Sequence, residues 1–375
     1  MRKHALLSAS GSAKWLNCPA SARLEEHIPD TFSSYAEEGT LAHALAEAIL
    51  LNDEVEIKKL KEDELFYPGM VDEVEIYTGY VEERINELKV KDKSVKMYVE
   101  QKLDLTSYVP EGFGTGDCVL IANKTLEIID LKFGKGVPVD PTFNSQLMLY
   151  ALGALDEFEF LYDIENVTIT VAQVRLDGIK SWTIPKKDLR AWGIETVIPK
   201  AKEAFEGKTD PVPGEWCRSG FCKYRNRCKK YAESIEDIYN KYKDNDLSND
   251  DYSRILYKAD DIDTWIKEIK ETALKKMLQG EHIPGFKVVE GRSNRKINDE
   301  DGLANKLISL GYKDEEIYKP KAIQTLGNLE KLVGKKKFNE VGDGYIIKPQ
   351  GKPTIAEESD KRPAFNSAEE DFEFN

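Results

Sequence analysis

Two apolar runs separated by only two residues constrain this chain more than any other feature. Gly116–Ala122 reads GDCVLIA and Thr125–Lys132 reads TLEIIDLK, with Asn123-Lys124 between them. So short a connection between strand-like runs predicts an antiparallel hairpin. Leu126–Ile129 is apolar and β-branched enough to be a buried strand. Asp130 then interrupts the run, and Lys132 follows two residues later on the same face. An edge-strand ion pair would account for the two charges and would add little stability. An active site would account for them as well.

The surrounding pattern sets the fold class. Tyr35–Leu51 and Val71–Val90 have helical periodicity, as does Asn144–Leu155. Ser94–Leu105 precedes the hairpin as a third strand, and Val167–Val174 and Ser181–Ile184 follow as two more. Residues 1–30 and 186–208 read as helical. The order predicts an α/β fold, a mixed sheet flanked by helices. We expect three parts: a core domain over 1–232, a helical and α+β accessory region over 233–348, and a flexible acidic tail over 349–375.

Composition narrows the function classes. The net charge is −14, from 54 Lys and Arg against 68 Asp and Glu. That balance disfavours nonspecific polyanion binding by the whole surface. A local basic stretch survives at Trp216–Lys230, WCRSGFCKYRNRCKK, where Arg218, Lys223, Arg225 and Arg227 are candidates for phosphate contacts. No apolar stretch has membrane-spanning length. The N-terminus makes a poor signal peptide, so we expect a cytoplasmic protein without a membrane partner.

Four features carry candidate chemistry. His43 and Glu47 in GTLAHALAE are one helical turn apart on one face. Asp117 opens the first hairpin strand, and Asp130 closes the second. If the hairpin sets the two aspartates opposite each other, their repulsion calls for a cation between them. Oxygen ligands suit Mg²⁺ or Mn²⁺. Lys132 beside that ion could serve a water and stabilise charge on a phosphate. Gln146 and Tyr150, spaced i,i+4, turn two polar tips to one helix face. Read singly, a core histidine, a turn aspartate and a partly exposed helix would explain each.

In this order the features resemble the RecB-type branch of the PD-(D/E)XK nuclease superfamily, over roughly residues 5–232. The resemblance implies a restriction-endonuclease-like fold and a metal-dependent DNA nuclease, of exonuclease type. It implies His43, Asp117, Asp130 and the Leu131 backbone carbonyl as metal ligands. Lys132 would serve the attacking water, and Gln146 and Tyr150 would position DNA. Glu100 matches an acidic residue of the first strand, with a solvated strand face as the other reading. A nonenzymatic DNA-binding or scaffolding protein on the same fold is the competing function.

Three of the five cysteines, Cys217, Cys222 and Cys228, fall within twelve residues. Three thiolates are one ligand short, and Cys18 is the obvious fourth. An odd count and no export signal argue against a disulfide framework. The arrangement resembles the iron–sulfur nucleases of the same branch, such as the AddB nuclease domain, and implies a 4Fe–4S cluster. Zinc is the alternative. The triplet is C-x4-C-x5-C where that family usually has C-x2-C-x5-C. Cys118 should face away from Asp117 as a small buried hydrophobe.

The whole layout looks like an uncharacterised phage and prophage family with a RecB-like core, encoded with recombination or replication proteins. The basic loops at 291–296 and 334–337 could hold phosphates. The acidic-aromatic tail could dock on a phage single-strand-binding or recombination protein, or serve only as a solubilising tail.

Overall fold

In a computed structural model of the chain, described residues comprise 5–29, 34–122, 124–135, 138–176, 178–242, 247–289, 299–310 and 325–342, with five isolated positions between 313 and 346. The basic loop at 291–296, Gly136 and the tail from 349 onward lie outside them. The chain divides into two compact units, Met1–Ala322 and Ile323–Asn375. The described elements of the second unit are two helices, Leu326–Val333 and Lys335–Gly342.

The first unit is built on five strands in sequence order: β1 (Lys96–Asp104), β2 (Phe113–Ala122), β3 (Thr125–Leu131), β4 (Asn166–Gln173) and β5 (Gly178–Pro185). β3 and β4 are parallel, and every other neighbouring pair is antiparallel. The predicted hairpin is the β2–β3 pair. Ala122 faces Thr125 across its two-residue turn, and Lys124 takes a φ of 68° to close it.

Helices line both faces, as the alternating pattern predicted. The early helices are α1 (Ser12–Trp15), α2 (Ala20–Glu25), α3 (Ser34–Leu50), α4 (Glu54–Leu60) and α5 (Gly69–Lys91). α3 and α5 cover one face, packing Leu45, Val74 and Val81 on Leu120, Ile129 and Leu131. α6 (Ser145–Phe158) covers the other, with Leu147 and Leu152 against Val119, Ile121 and Ile128. Each such fully buried side chain contributes about 1.5–3 kcal/mol. α7 (Lys186–Trp192) and α8 (Ile198–Glu206), joined by one π-helical turn, add Leu189 and Ala201 to that same core.

The parallel pair positions the site. Parallel strands need a crossover between them, and α6 is that crossover. It starts just past the C-terminal end of β3, so its first turn returns to Lys132. Asn144 caps it by accepting the Leu147 N–H at 3.3 Å.

Three further helices continue the unit: α9 (Trp216–Ser219), α10 (Lys229–Tyr242) and α11 (Asn249–Leu278). Beyond them the described residues of 281–322 include the helix Glu300–Ser309.

Candidate active site

The sheet register builds a row of acids. Cys118 faces Ile129 across the hairpin, so one step further sets Asp117 opposite Asp130. On the other side of β2, Val99 faces Cys118 and Gln101 faces Gly116, which sets Glu100 opposite Asp117. Three carboxylates thus stand across β1, β2 and β3. Glu100 holds a φ of 48°, the left-handed region that strand residues avoid.

α3 brings His43 to this row. Its Nδ1 lies 3.4 Å from Asp117 Oδ2. Ligand atoms of His43, Glu100 and Asp117 all lie within 4.8 Å of one another, the one such group of three among the described residues. Glu47 and Leu131 join them around a narrow cleft. The Tyr77 hydroxyl on its wall is buried and has no hydrogen-bond partner among the described residues. An imidazole, clustered carboxylates and an orphaned hydroxyl fit a divalent cation. The same Asp117 oxygen also has a structural task, since Oδ2 accepts the Leu131 N–H at 2.7 Å.

Asp130 and Lys132 stand beside this group. Lys132 Nζ lies 2.7 Å from Asp130 Oδ2. On its other side the ammonium donates to Gln146 Oε1 at 3.5 Å, and Gln146 Nε2 donates to the Tyr150 hydroxyl at 3.3 Å. All four side chains form one chain of contacts between β3 and α6.

Crowding of like charges out of water moves the titrations. Burial first, then the neighbouring Asp117 charge, pushes Glu100 up to about 7. Burial likewise pushes Asp130 up to about 6 against the pull of Lys132. At His43 burial favours the neutral ring, but the bond to Asp117 and its charge outweigh this and raise the pKa. At Lys132 the Asp130 carboxylate likewise outweighs burial, so the ammonium stays charged.

Some supporting residues carried no motif in the sequence. Gly114 is one. A Cβ there would sit 2.5 Å from the Tyr150 ring, so only glycine lets the ring lie against β2. Arg175 is another, at 6 % exposure. It pairs with Glu38 at 3.2 Å and Glu73 at 3.4 Å, and donates to the Phe133 carbonyl at 3.3 Å. Gln173 accepts the Val139 N–H at 2.9 Å. Together they fix the segment that leads from Lys132 to α6.

The cysteines form a separate region. Cys18 and Cys217 are buried, Cys222 and Cys228 half-buried, and all are free thiols. The Val212 N–H donates to Cys18 Sγ at 3.3 Å. Cys18, Cys217 and Cys228 lie close enough for their charges to act on one another. Cys222 sits beside Glu25, and burial pushes its thiol up to about 12. Among the described residues no three of these sulfurs lie within 4.8 Å of one another, so the structure brings the four thiols into one region without gathering them into a ligand group. The region is tied to the N-terminus by Arg23 donating to the Phe205 carbonyl at 2.8 Å and by Lys223 N–H donating to Glu25 at 2.8 Å, and Glu25 is itself held by Lys14 at 2.6 Å. Cys118 is fully buried on the face opposite Val119.

The four basic candidates separate here. Arg218 and Arg227 are exposed. Lys223 Nζ donates to the Ile28 carbonyl at 3.4 Å. Arg225 is buried, and its guanidinium is taken up by Asp261 at 2.8 Å and Glu268 at 2.5 Å on α11. Its charge fastens α11 to the cysteine segment rather than facing solvent.

A family model described as "protein of unknown function (DUF2800)" matches residues 4–363. The chain belongs to the DUF2800 family. Solved structures similar to this DUF2800 chain include a "putative exonuclease" from Eubacterium rectale, at 14% identity and a TM-score of 0.35, covering 58% of this chain and 87% of that one. Another is the protein SSO0001, at 16% identity and a TM-score of 0.24, covering 56% and 94%. Likeness at this level carries no conclusion about activity. None of the helices among the described residues is long and apolar enough to cross a membrane.

Proposed function

We propose that this DUF2800 chain is a metal-dependent deoxyribonuclease of exonuclease type, on a PD-(D/E)XK-like core. The observation that carries this reading is the convergence of His43, Glu100 and Asp117 within 4.8 Å, flanked by the buried Asp130–Lys132 pair. The order of these residues, with Gln146 and Tyr150 after them, also resembles the RecB-type nucleases.

His43, Glu100, Asp117 and Asp130, with the Leu131 carbonyl, would hold Mg²⁺ or Mn²⁺. A divalent ion supplies Lewis acidity toward a phosphoryl oxygen and lowers the pKa of bound water. The protein's own groups do the rest. Lys132 keeps its proton and sets a positive charge where negative charge develops on the phosphate. Asp130 holds that ammonium from one side and Gln146 from the other, which fixes its direction. Tyr150, pressed against Gly114, keeps Gln146 in place.

Cys18, Cys217, Cys222 and Cys228 are proposed to hold a 4Fe–4S cluster, with zinc as the alternative, and to tie the N-terminal helices to residues 205–231. Its role would be structural. DNA processing in phage recombination is the setting proposed for the activity. The acidic tail is proposed to meet a single-strand-binding or recombination protein.

The test is cleavage of end-labelled DNA, blocked and unblocked, with Mn²⁺, with Mg²⁺ and with chelator. We expect metal-dependent release of nucleotides from unblocked ends. Cleavage that persists in chelator would defeat the reading. For the cysteines, Cys18→Ala should lose the brown colour of an anaerobic preparation and lower the melting temperature. A colourless wild type with one zinc per chain would replace the cluster.

A further inference from the structure

Phe143 immediately precedes the N-cap of α6, in the segment between Lys132 and Gln146. It is 70% exposed and holds a φ of 52°. That backbone region is unfavourable for a bulky side chain, and such strain gathers at sites with a use. Its ring leans on Trp182 of β5, with centroids 4.7 Å apart and planes tilted by 51°. The pair shows one aromatic face to water in a conformation that core packing does not require.

The platform stands close to the chemistry. Asp130 faces Val171, and Ile169 faces Trp182. Trp182 is therefore two strands across from Asp130 and one side-chain repeat along the sheet. Strand spacing and rise put these positions about 12 Å apart. Phe143 lies one helical turn ahead of Gln146, which contacts Lys132.

The surface charge sharpens the point. At −14 the chain gains little from displacing counterions over its whole surface. Stacking of a base on an aromatic ring needs no net charge and tolerates any sequence. A paired base in a duplex is already covered on both faces, so only an unpaired base can use the ring.

We propose that Phe143, propped on Trp182, is a stacking platform for one unpaired base of single-stranded DNA beside the phosphate that Lys132 serves. The proposal rests on the nuclease reading of the Asp130–Lys132 site.

The experiment uses the full chain with single-stranded oligothymidylate, unmodified or with one abasic position moved stepwise from the end. Phe143→Ala should raise KM about 5- to 100-fold, with the loss in KM rather than kcat. Phe143→Tyr should restore it. One abasic position should cost the wild type a similar factor, and cost Phe143→Ala nothing more. Phe143→Gly suits the positive φ and guards against a folding defect, so it must show the same rise. An unchanged KM in Phe143→Ala, or an abasic penalty that persists in it, overturns the platform. So does a wild type that takes blunt duplex with the same KM as single strands. If the wild type neither binds nor cleaves DNA with either metal, the nuclease reading falls and the platform falls with it. If the wild type and Phe143→Ala cleave alike, the platform alone falls.

Discussion

Glu127 and Asp130 are buried carboxylates three residues apart on the same strand, and they point to opposite faces of the sheet. Glu127 faces α5 and is completely engaged. Arg84 pairs with it at 2.7 Å, Thr170 donates at 2.7 Å and Tyr80 at 3.3 Å. Asp130 faces α6 with Lys132 as its partner, and Asp117 adds a like charge beside it. The contrast separates two uses of a buried charge. A carboxylate whose acceptor capacity is filled by fixed donors holds a structure together. One crowded by other acids is held ready for a cation.

The largest expected difference is in cleavage. Asp130→Ala or Lys132→Ala should lower the rate at least about 100-fold, while DNA binding remains. Glu127→Ala should cleave normally per folded molecule. Equal rates in the Asp130 and Lys132 variants and the wild type would break the contrast at its root.

Stability should show the reverse order. Glu127→Ala removes one member of a buried pair and should cost about 3 kcal/mol in denaturant unfolding. Asp130→Asn removes a crowded charge, and the metal-free protein should be as stable as wild type or more so. A loss with Asp130→Asn as large as that of Glu127→Ala would make both acids structural.

The smallest effect is on pH dependence. The folded pKa of Glu100 is raised from 4.5 to about 7, and that of Asp130 from 3.8 to about 6. An acid with a raised folded pKa binds more protons folded than unfolded between the two values. Its stabilising effect is therefore present at the acid end and lost as pH climbs through roughly 4 to 7. His43, also raised, works in the same direction. Unfolding of metal-free protein across this window should show the loss, and Glu100→Gln should shallow it. A wild type and a Glu100→Gln variant with identical profiles would place Glu100 in ordinary solvent.

Much of this was legible in the chain itself. The two-residue gap predicted the hairpin, and the hairpin's register set Asp117 opposite Asp130. The helical spacing of Gln146 and Tyr150 put both on one face. Other parts were not legible, for physical reasons. Glu127 looks like any polar residue on a strand until Arg84, 43 positions earlier, is packed on it. Arg225 looked like a free cation because its acids, Asp261 and Glu268, arrive on a later helix. Gly114 has no local turn to justify it, since the ring it admits comes from α6.

By itself the sequence determined the strands, the helices and the residue types able to do chemistry, because period, turn length and side-chain identity are local. Only the tertiary structure decided which charges meet. That outcome depends on the parallel β3–β4 pair, whose crossover helix carries Gln146 back to Lys132, and on α3, which carries His43 to Asp117 from 74 residues away. Contacts of that kind form only when the core brings distant segments together, and no local pattern records them.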